Sequence, residues 1–244
     1  MALTKRFRID FTKISQQTGS TAALCAAPVV TTGALNTFSF GGKTITVYND
    51  GQNDDICFTR DATIGGWTCP NDNTDNDGIE INPGIGLPSN GVFVVGTDPA
   101  FYMKAKFNIP DVSDYDVAAA GFRKTAANAA MASAAAVATA YTDIACINVD
   151  AGDFKTVTSL NTATDVTTDI TTSAWLDTES HTLEVRVSSA GAVTYYVDGT
   201  VTPAAVAFTL DSGDSVIPFV RFTKNAGAAS DTPPCMLELE WGYQ

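Results

Sequence analysis

The segment spanning residues 175–202 constrains the fold more than any other part of the chain. Within it, Leu183, Val185 and Val187 alternate with polar residues, and the same alternation returns over residues 193–198. A period of two is the side-chain period of a β-strand that has one buried face. The pair Asp198-Gly199 then favours a tight hairpin turn. The segment therefore predicts two antiparallel strands and a second turn.

The rest of the sequence predicts more strands of the same kind. Alternation recurs over residues 5–13, where Phe7, Ile9 and Phe11 share a face, and again over residues 101–109 and 236–241. Charged residues make up 17% of the chain and hydrophobic residues 45%, which is typical of short strands joined by polar turns. The expected fold is an all-β antiparallel β-sandwich with long loops. At most one short helix is expected, over the alanine-rich residues 125–138, with a packed small-residue loop as the alternative.

Two stretches depart from this pattern. Residues 61–91 are rich in Gly, Pro, Asn and Asp, which predicts a long irregular loop, and loops of that length usually have a function. Residues 1–35 are interpreted as an N-terminal strand and attachment segment. Residues 36–244 are then a single sandwich domain.

The charge and hydropathy of the chain limit the kinds of partner that it is expected to bind. The formal net charge is −13, which opposes binding to phosphate backbones and to anionic membranes. No stretch approaches the roughly 18 apolar residues of a membrane span, and charged residues near the start interrupt any signal-peptide core. We therefore expect no nucleic-acid partner, no membrane partner and no export by a signal peptide.

The hairpin residues also carry a resemblance. WLDTESHTLEVRVSSAGAVTYYVDG, residues 175–199, resembles the "W-H-x-hydrophobic-x-hydrophobic … G-x-hydrophobic-x-Y-x-D-G" strand pair of concanavalin-like and laminin-G-like domains. This resemblance implies a concanavalin-like jelly roll. It specifies fold better than function, since such sandwiches include lectins, glycosidases and structural proteins. The Thr/Ala/Gly-rich composition is similar to that of phage virion proteins.

Catalytic patterns are weak. Glu238 and Glu240 share one face of a predicted strand, which would allow a carboxylate pair, but an outward polar row explains them equally well. His181 is the only histidine, and no G-x-S-x-G surrounds any serine. The prediction is that the protein is not an enzyme and has no catalytic residues.

A calcium site is the sharpest local motif. Asn73, Asp75, Asp77 and Gly78 match the N-x-D-x-D-G opening of a calcium-binding loop, because alternate oxygen-bearing side chains on a tight turn can surround the ion. The twelfth position of such a loop is a glycine here, so Glu80 would have to substitute through another geometry. An ordinary Asn/Asp-rich turn without any cofactor is the alternative.

Aromatic and cysteine residues give three further expectations. Trp67 follows two glycines in a predicted loop, so it is expected to be exposed and to contact a glycan or a protein partner, as is Tyr196. Trp175 and Trp241 are expected in the core. Free, mostly buried thiols are the favoured interpretation of the cysteines, and a Cys57–Cys69 disulfide outside a reducing compartment is the alternative.

These observations favour a non-enzymatic virion structural protein. It would be a capsid decoration protein made in the host cytoplasm and attached to the major capsid protein or other virion proteins as a homo-oligomer. The alternative is a carbohydrate-binding, lectin-like or receptor-binding fibre domain with a glycan as ligand.

Overall fold

The structure of the chain is a computed structural model. It describes residues 6–14, 23–25, 35–40, 43–50, 57–69, 74–75, 77–83, 92–124, 142–161, 164–170, 173–202, 206–225 and 232–244. Within these ranges the chain forms two antiparallel sheets. The helical structure among the described residues is one 3₁₀ turn, Val112–Asp114, and none of it is long and apolar enough to cross a membrane.

The first sheet contains both the earliest and the latest strand of the described chain. Its order is β16-β15-β14-β9-β18-β6-β5-β2, and β1 pairs with β18 beside this path. The bounds are β1 Arg6–Asp10, β2 Ala23–Cys25, β5 Cys57–Arg60, β6 Trp67–Thr68, β9 Phe101–Asn108, β14 Ser180–Val187, β15 Val193–Val197, β16 Thr200–Val201 and β18 Cys235–Tyr243.

The second sheet lies over one face of the first. Its order is β13-β12-β11-β10-β17-β7-β4-β3, and β8 pairs with β17 beside this path. The bounds are β3 Leu35–Phe40, β4 Lys43–Asp50, β7 Gly78–Asn82, β8 Phe93–Val94, β10 Tyr115–Lys124, β11 Ile144–Asp150, β12 Asp153–Ser159, β13 Val166–Asp169 and β17 Ser215–Lys224.

Aromatic side chains join the two sheets in the main core. Phe107 of β9 meets Phe222 of β17 edge to face, with ring centroids 5.1 Å apart. Trp175 stacks on Phe107 at 5.0 Å and on Phe154 of β12 at 5.5 Å. Such pairs stabilise a core beyond their buried area. The expected core positions of Trp175 and Trp241 are confirmed, since their exposed fractions are 1% and 3%.

The central strands of the second sheet, β10 and β17, are buried on both faces. A separate apolar cluster lies on its outer face, formed by Val117, Ala119, Ile144, Cys146, Val157 and Phe219. Strands β10 and β11 approach closely at Gly121, where a Cβ atom would overlap the carbonyl oxygen of Ala145. The outer face of the first sheet, in contrast, carries charged side chains and an open cleft.

The predicted hairpin is confirmed. Strand β14 pairs with β15 from Leu183 opposite Val197 to Val187 opposite Val193. Asp198 and Gly199 both have positive φ angles, 50° and 77°, as a type I′ turn requires.

The expectation of a long irregular loop over residues 61–91 is wrong in part. Strands β6 and β7 lie in this stretch, and β7 pairs with both β4 and β17. Ile79 and Ile81 of β7 enter the main core, which is why this short strand forms among turn residues. Residues 125–138, expected as a helix or a packed loop, lie outside the described residues.

Strands β1 and β2 belong to the first sheet. Ile9 and Phe11 pack in the same core as the later strands, as the alternation in residues 5–13 predicted. The attachment role expected for residues 1–35 stays a prediction.

Candidate functional site

The outer face of the first sheet carries a row of alternating charges. Strand pairing places Arg8 opposite Glu240, Glu240 opposite Lys104 and Lys104 opposite Glu184. Tyr196 of β15 continues the row opposite Glu184. Residues directly opposite in antiparallel strands have Cβ atoms about 4.5–5.5 Å apart, so opposite charges there attract.

A second row runs alongside the first and contains a gap. Arg6 lies opposite Gly242, Gly242 opposite Tyr102 and Tyr102 opposite Arg186. Because Gly242 has no side chain, this row is interrupted between Arg6 and Tyr102. An open cleft of about 370 Å³ lies here, lined by Arg6, Tyr102, Lys104, Glu184, Arg186, Glu240 and Gln244.

Glu240 is the central carboxylate of the cleft. Its side chain is 2% exposed, and its Oε1 accepts hydrogen bonds from Arg6 Nε at 2.8 Å and from the Tyr102 hydroxyl. Burial alone would raise its pKa, but these two hydrogen bonds and the nearby Lys104 charge lower the pKa below the ordinary 4.5. Glu240 is therefore an ionised carboxylate at neutral pH.

The other oxygen of Glu240 has acceptor capacity left. Lys104 Nζ lies 3.4 Å from Oε2 and Arg8 Nε lies 3.8 Å away, yet no described residue donates a hydrogen bond of good geometry to this buried atom. A buried carboxylate oxygen without a donor is costly unless a further group supplies one. The nearby Lys104 ammonium offsets this cost electrostatically, and because Oε2 is buried, a ligand in the cleft does not reach it.

Arg186 bounds the other end of the cleft. Its Nε donates to Glu184 Oε1 at 2.6 Å, and its guanidinium carbon lies 4.2 Å from the centre of the Tyr196 ring. Tyr196, predicted as a contact residue, is thus half-buried beneath an arginine beside the cleft. Stacking of this kind fixes the orientation of a long side chain.

The prediction that Trp67 is exposed is wrong. Its exposed fraction is 3%, and its ring packs edge to face against Phe40 at 5.6 Å. The preceding glycines bring β6 against β18, since a Cβ on Gly66 would lie 2.7 Å from Cys235 Sγ. Trp67 is therefore a core residue and is not part of the candidate binding site.

The carboxylate pair Glu238 and Glu240 does point outward, as the alternation predicted, but cations neutralise both. Arg8 lies 2.6 Å and Lys104 2.9 Å from Glu238. A glycosidase needs one carboxylic acid whose raised pKa keeps it protonated. The lowered pKa of Glu240 makes it unsuited to that role.

The predicted calcium loop is described only in part. Asp75 is exposed and Asp77 half-buried, whereas Asn73 lies outside the described residues. Glu80 cannot complete the site, because it is buried and its Oε1 lies 2.7 Å from Arg123. The part of the chain that the structure describes contains no group of three or more His, Cys, Asp or Glu suited to a metal. A calcium site at Asn73, Asp75 and Asp77 stays a prediction.

The expectation of free, buried thiols is confirmed for Cys69, Cys146 and Cys235. The backbone N–H of Cys69 donates to Pro234 O at 2.8 Å beside β18. Because Cys69 is a free thiol, the alternative of a Cys57–Cys69 disulfide does not hold. In the backbone register, Cys57 lies opposite Cys25 in the β2–β5 pair.

Sequence reasoning missed most of the cleft. Arg6, Tyr102, Arg186 and Gln244 come from four different strands or strand ends, and strand register alone brings them together. The alternation in the hairpin places Arg186 and Glu184 on its polar face, which is correct, but no local signal shows which strands flank that face.

Comparison with known proteins gives the fold. No family model and no curated protein matches this sequence. The carbohydrate recognition domain of Emp47p superposes with a TM-score of 0.52 at 9% identity, covering 97% of this chain and 94% of that one. This likeness and the two-sheet architecture show a concanavalin-like jelly-roll β-sandwich.

Two other solved structures cover nearly the whole chain. A protein of unknown function from Shewanella oneidensis MR-1 gives a TM-score of 0.46 at 15% identity, with 97% of this chain and 86% of that one covered. A conserved carbohydrate esterase from Shiga toxin-encoding bacteriophage phi24B gives 0.42 at 13% identity, with 99% and 98% covered.

Proposed function

We propose that this chain is a non-enzymatic carbohydrate-binding module and that its glycan lies in the cleft on the first sheet. The observation that carries the proposal is the open cleft in which the exposed Arg6 guanidinium and Tyr102 are both held by the buried, ionised Glu240. Sugars present hydroxyl oxygens that accept hydrogen bonds in abundance. A charged donor makes stronger hydrogen bonds than a neutral one.

The remaining lining residues suit the same ligand class. Planar Arg, Glu and Gln side chains lie next to the Tyr102 ring, and the cleft is open rather than enclosed. Sugar recognition needs polar groups that fix hydroxyls and an aromatic face that covers apolar C–H groups. The Emp47p domain is, by its name, a carbohydrate recognition domain, and it shares this fold.

The charge state of the cleft supports binding over acid catalysis by Glu240. Arg6 and Lys104 hold Glu240 ionised, so it lacks the proton that a general acid must deliver. An ionised carboxylate can hold neighbouring cationic side chains in place for a ligand, but it has no proton to donate.

A glycan array tests this function. The intact chain should give reproducible signals on a subset of sugars. Glu240→Gln should reduce them by about tenfold, because it removes the charged hydrogen bond that orients Arg6 in the cleft, and such a bond is worth roughly 1.5–3 kcal/mol. Lys106→Gln is the control, since Lys106 is exposed on β9, the strand of Tyr102 and Lys104, but does not line the cleft. A blank array, or signals unchanged by Glu240→Gln, would overturn the proposal.

A second candidate is a virion structural role, as a capsid decoration or fibre protein that forms a homo-oligomer. It is favoured by exposed apolar residues at two sheet edges, Val166 on β13 at 47% exposure and Val201 on β16 at 50%. Edge strands offer unpaired backbone groups to a partner chain. A protein that sediments as a monomer and does not bind phage shells would exclude this role, and a receptor-binding fibre would satisfy both candidates.

A further inference from the structure

The cleft lacks the excess of negative charge that characterises the rest of the protein. Its lining contains three cations, Arg6, Lys104 and Arg186, and two carboxylates, Glu184 and Glu240, while Lys104 also pairs with Glu238 beside the cleft. The whole chain has a formal net charge of −13. A cleft without excess negative charge on an acidic protein favours an anionic ligand there over the rest of the surface.

The hydrogen-bonding capacity left in the cleft is mainly donor capacity. Arg6 has five N–H donors and uses Nε for Glu240, and no described residue accepts from its terminal nitrogens. Its side chain is 62% exposed, so a ligand can reach those nitrogens. Arg186 likewise uses Nε for Glu184 and is 41% exposed.

Acceptors in the cleft are mostly occupied. Glu240 Oε1 already accepts from Arg6 and Tyr102, and Glu184 Oε1 accepts from Arg186. Oε2 of Glu240 is buried beside the Lys104 ammonium and is out of reach of a ligand. A complementary ligand therefore supplies several acceptors and few donors.

The two arginines define the length of that ligand. Arg6 and Arg186 lie in one row with strands β18 and β9 between them, which is three interstrand steps. At about 4.8 Å a step, their Cα atoms are about 14 Å apart. A short oligosaccharide spans this distance, and a guanidinium matches a carboxylate through two parallel hydrogen bonds.

We infer that the cleft selects an acidic oligosaccharide, with sugar carboxylates held by Arg6 and Arg186. This inference rests on the proposed function and names its ligand class. Arg6 and Arg186 are the specificity-determining residues.

The test uses two probes that differ only in charge, tetragalacturonate and its methyl ester, on an array that also holds other acidic and neutral glycans. The intact chain should bind acidic glycans at least about tenfold more tightly than their neutral counterparts, the value of one charge-assisted hydrogen bond. Added salt should weaken this preference.

Variants separate the inference from the proposed function. Arg6→Gln with Arg186→Gln should abolish the preference for acidic glycans, whereas the control Lys106→Gln should keep it. Unchanged thermal unfolding of each variant shows that the fold is intact. If neutral glycans bind as well as acidic ones, or the double variant keeps the preference, the inference is wrong and the proposed function stands. If no glycan binds, both are wrong.

Discussion

His181 Nδ1 lies 2.6 Å from Asp198 Oδ2, so the imidazole at the start of β14 is joined to the turn that ends β15. The other ring nitrogen lies 3.1 Å from Glu179 Oε2, and the ring packs edge-on against Trp175 at 4.6 Å. Asp198 Oδ1 also accepts from the Thr182 backbone N–H at 2.8 Å. The one histidine of the chain thus links the start of β14 to the turn after β15, and its ring packs against the core residue Trp175.

Replacing this histidine should loosen the hairpin. We expect His181→Ala to lower the free energy of unfolding by roughly 1–2 kcal/mol, because a half-buried ring loses packing and hydrogen bonds. The hydrogen bond from His181 lowers the pKa of Glu179, so that pKa should rise toward 4.5 in the variant. Urea unfolding and carboxyl NMR titration measure the two effects. Thr194→Ala, on the exposed face of β15, is the control, and equal stability of both variants would contradict the prediction.

Acid should unfold the protein partly through Glu240. Its pKa in the folded state lies below the ordinary 4.5, so its ionised form stabilises the fold above that pH. This stabilisation is lost as the pH falls through the folded-state pKa. Melting temperatures measured from neutral pH to about pH 3 should therefore fall less steeply below 4.5 in Glu240→Gln than in the unchanged protein. If the melting temperatures of the two proteins fall in parallel with pH, the ion pairs of Glu240 do not contribute to the stability of the fold.

The close approach of β10 and β11 should make Gly121 intolerant of any side chain. A Cβ there overlaps the Ala145 carbonyl oxygen, and both strands are central, so Gly121→Ala should cost at least about 2–3 kcal/mol. Gly199→Ala is the comparison, because its Cβ would meet nothing within 4 Å and only its φ of +77° opposes alanine. That variant should lose only about 1 kcal/mol. Chemical denaturation ranks the two, and the reverse order would refute the packing described here.

Buried thiols should be unreactive in the folded protein. Burial raises the pKa of Cys69, and burial together with Asp61 raises the pKa of Cys235 to about 12. Because the thiolate is the reactive form, iodoacetamide should label Cys69, Cys146 and Cys235 only after unfolding. Mass spectrometry of labelled peptides reads this directly, and rapid native labelling of Cys146 would contradict it.

Calcium binding can be decided by calorimetry. If Asn73, Asp75 and Asp77 hold the ion, titration with calcium should release heat and raise the melting temperature, and Asp75→Asn should weaken both effects because a charged ligand is lost. Burial, with the neighbouring charges of Asp150 and Asp75, raises the pKa of Asp116, so negative charge does accumulate near this loop. No heat on titration and no change on chelation would exclude the site.

Local sequence patterns correctly predicted several of the β-strands that build the sandwich. The alternation in β1, β9, β14 and β15 identified both the strands and their buried faces, since a period of two is intrinsic to a strand. Prediction failed where the local residue pattern indicated a loop but packing against another strand required a β-strand. Trp67 follows two glycines, which usually mark a loop, but here they allow β6 to approach β18.

The candidate site was largely beyond local prediction. Glu240 and Arg186 were placed on the correct faces, yet their neighbours depend on which strands pair. Lys104 lies between Glu184 and Glu240 only because β9 lies between β14 and β18. The register between strands is a property of the assembled sheet. It cannot be inferred from the local pattern of a single sequence.

The pairing of β1 with β18 has a kinetic consequence. Arg6 and Glu240 are 234 positions apart in the sequence and yet adjacent in the sheet. Contacts this distant require nearly the whole chain to be ordered before they form, and folding rates fall steeply as such contacts come to dominate a topology. The cleft therefore cannot be completed until β18 has been synthesised. A chain released before that point would lack Glu240 and Gln244, two of the residues that line the cleft.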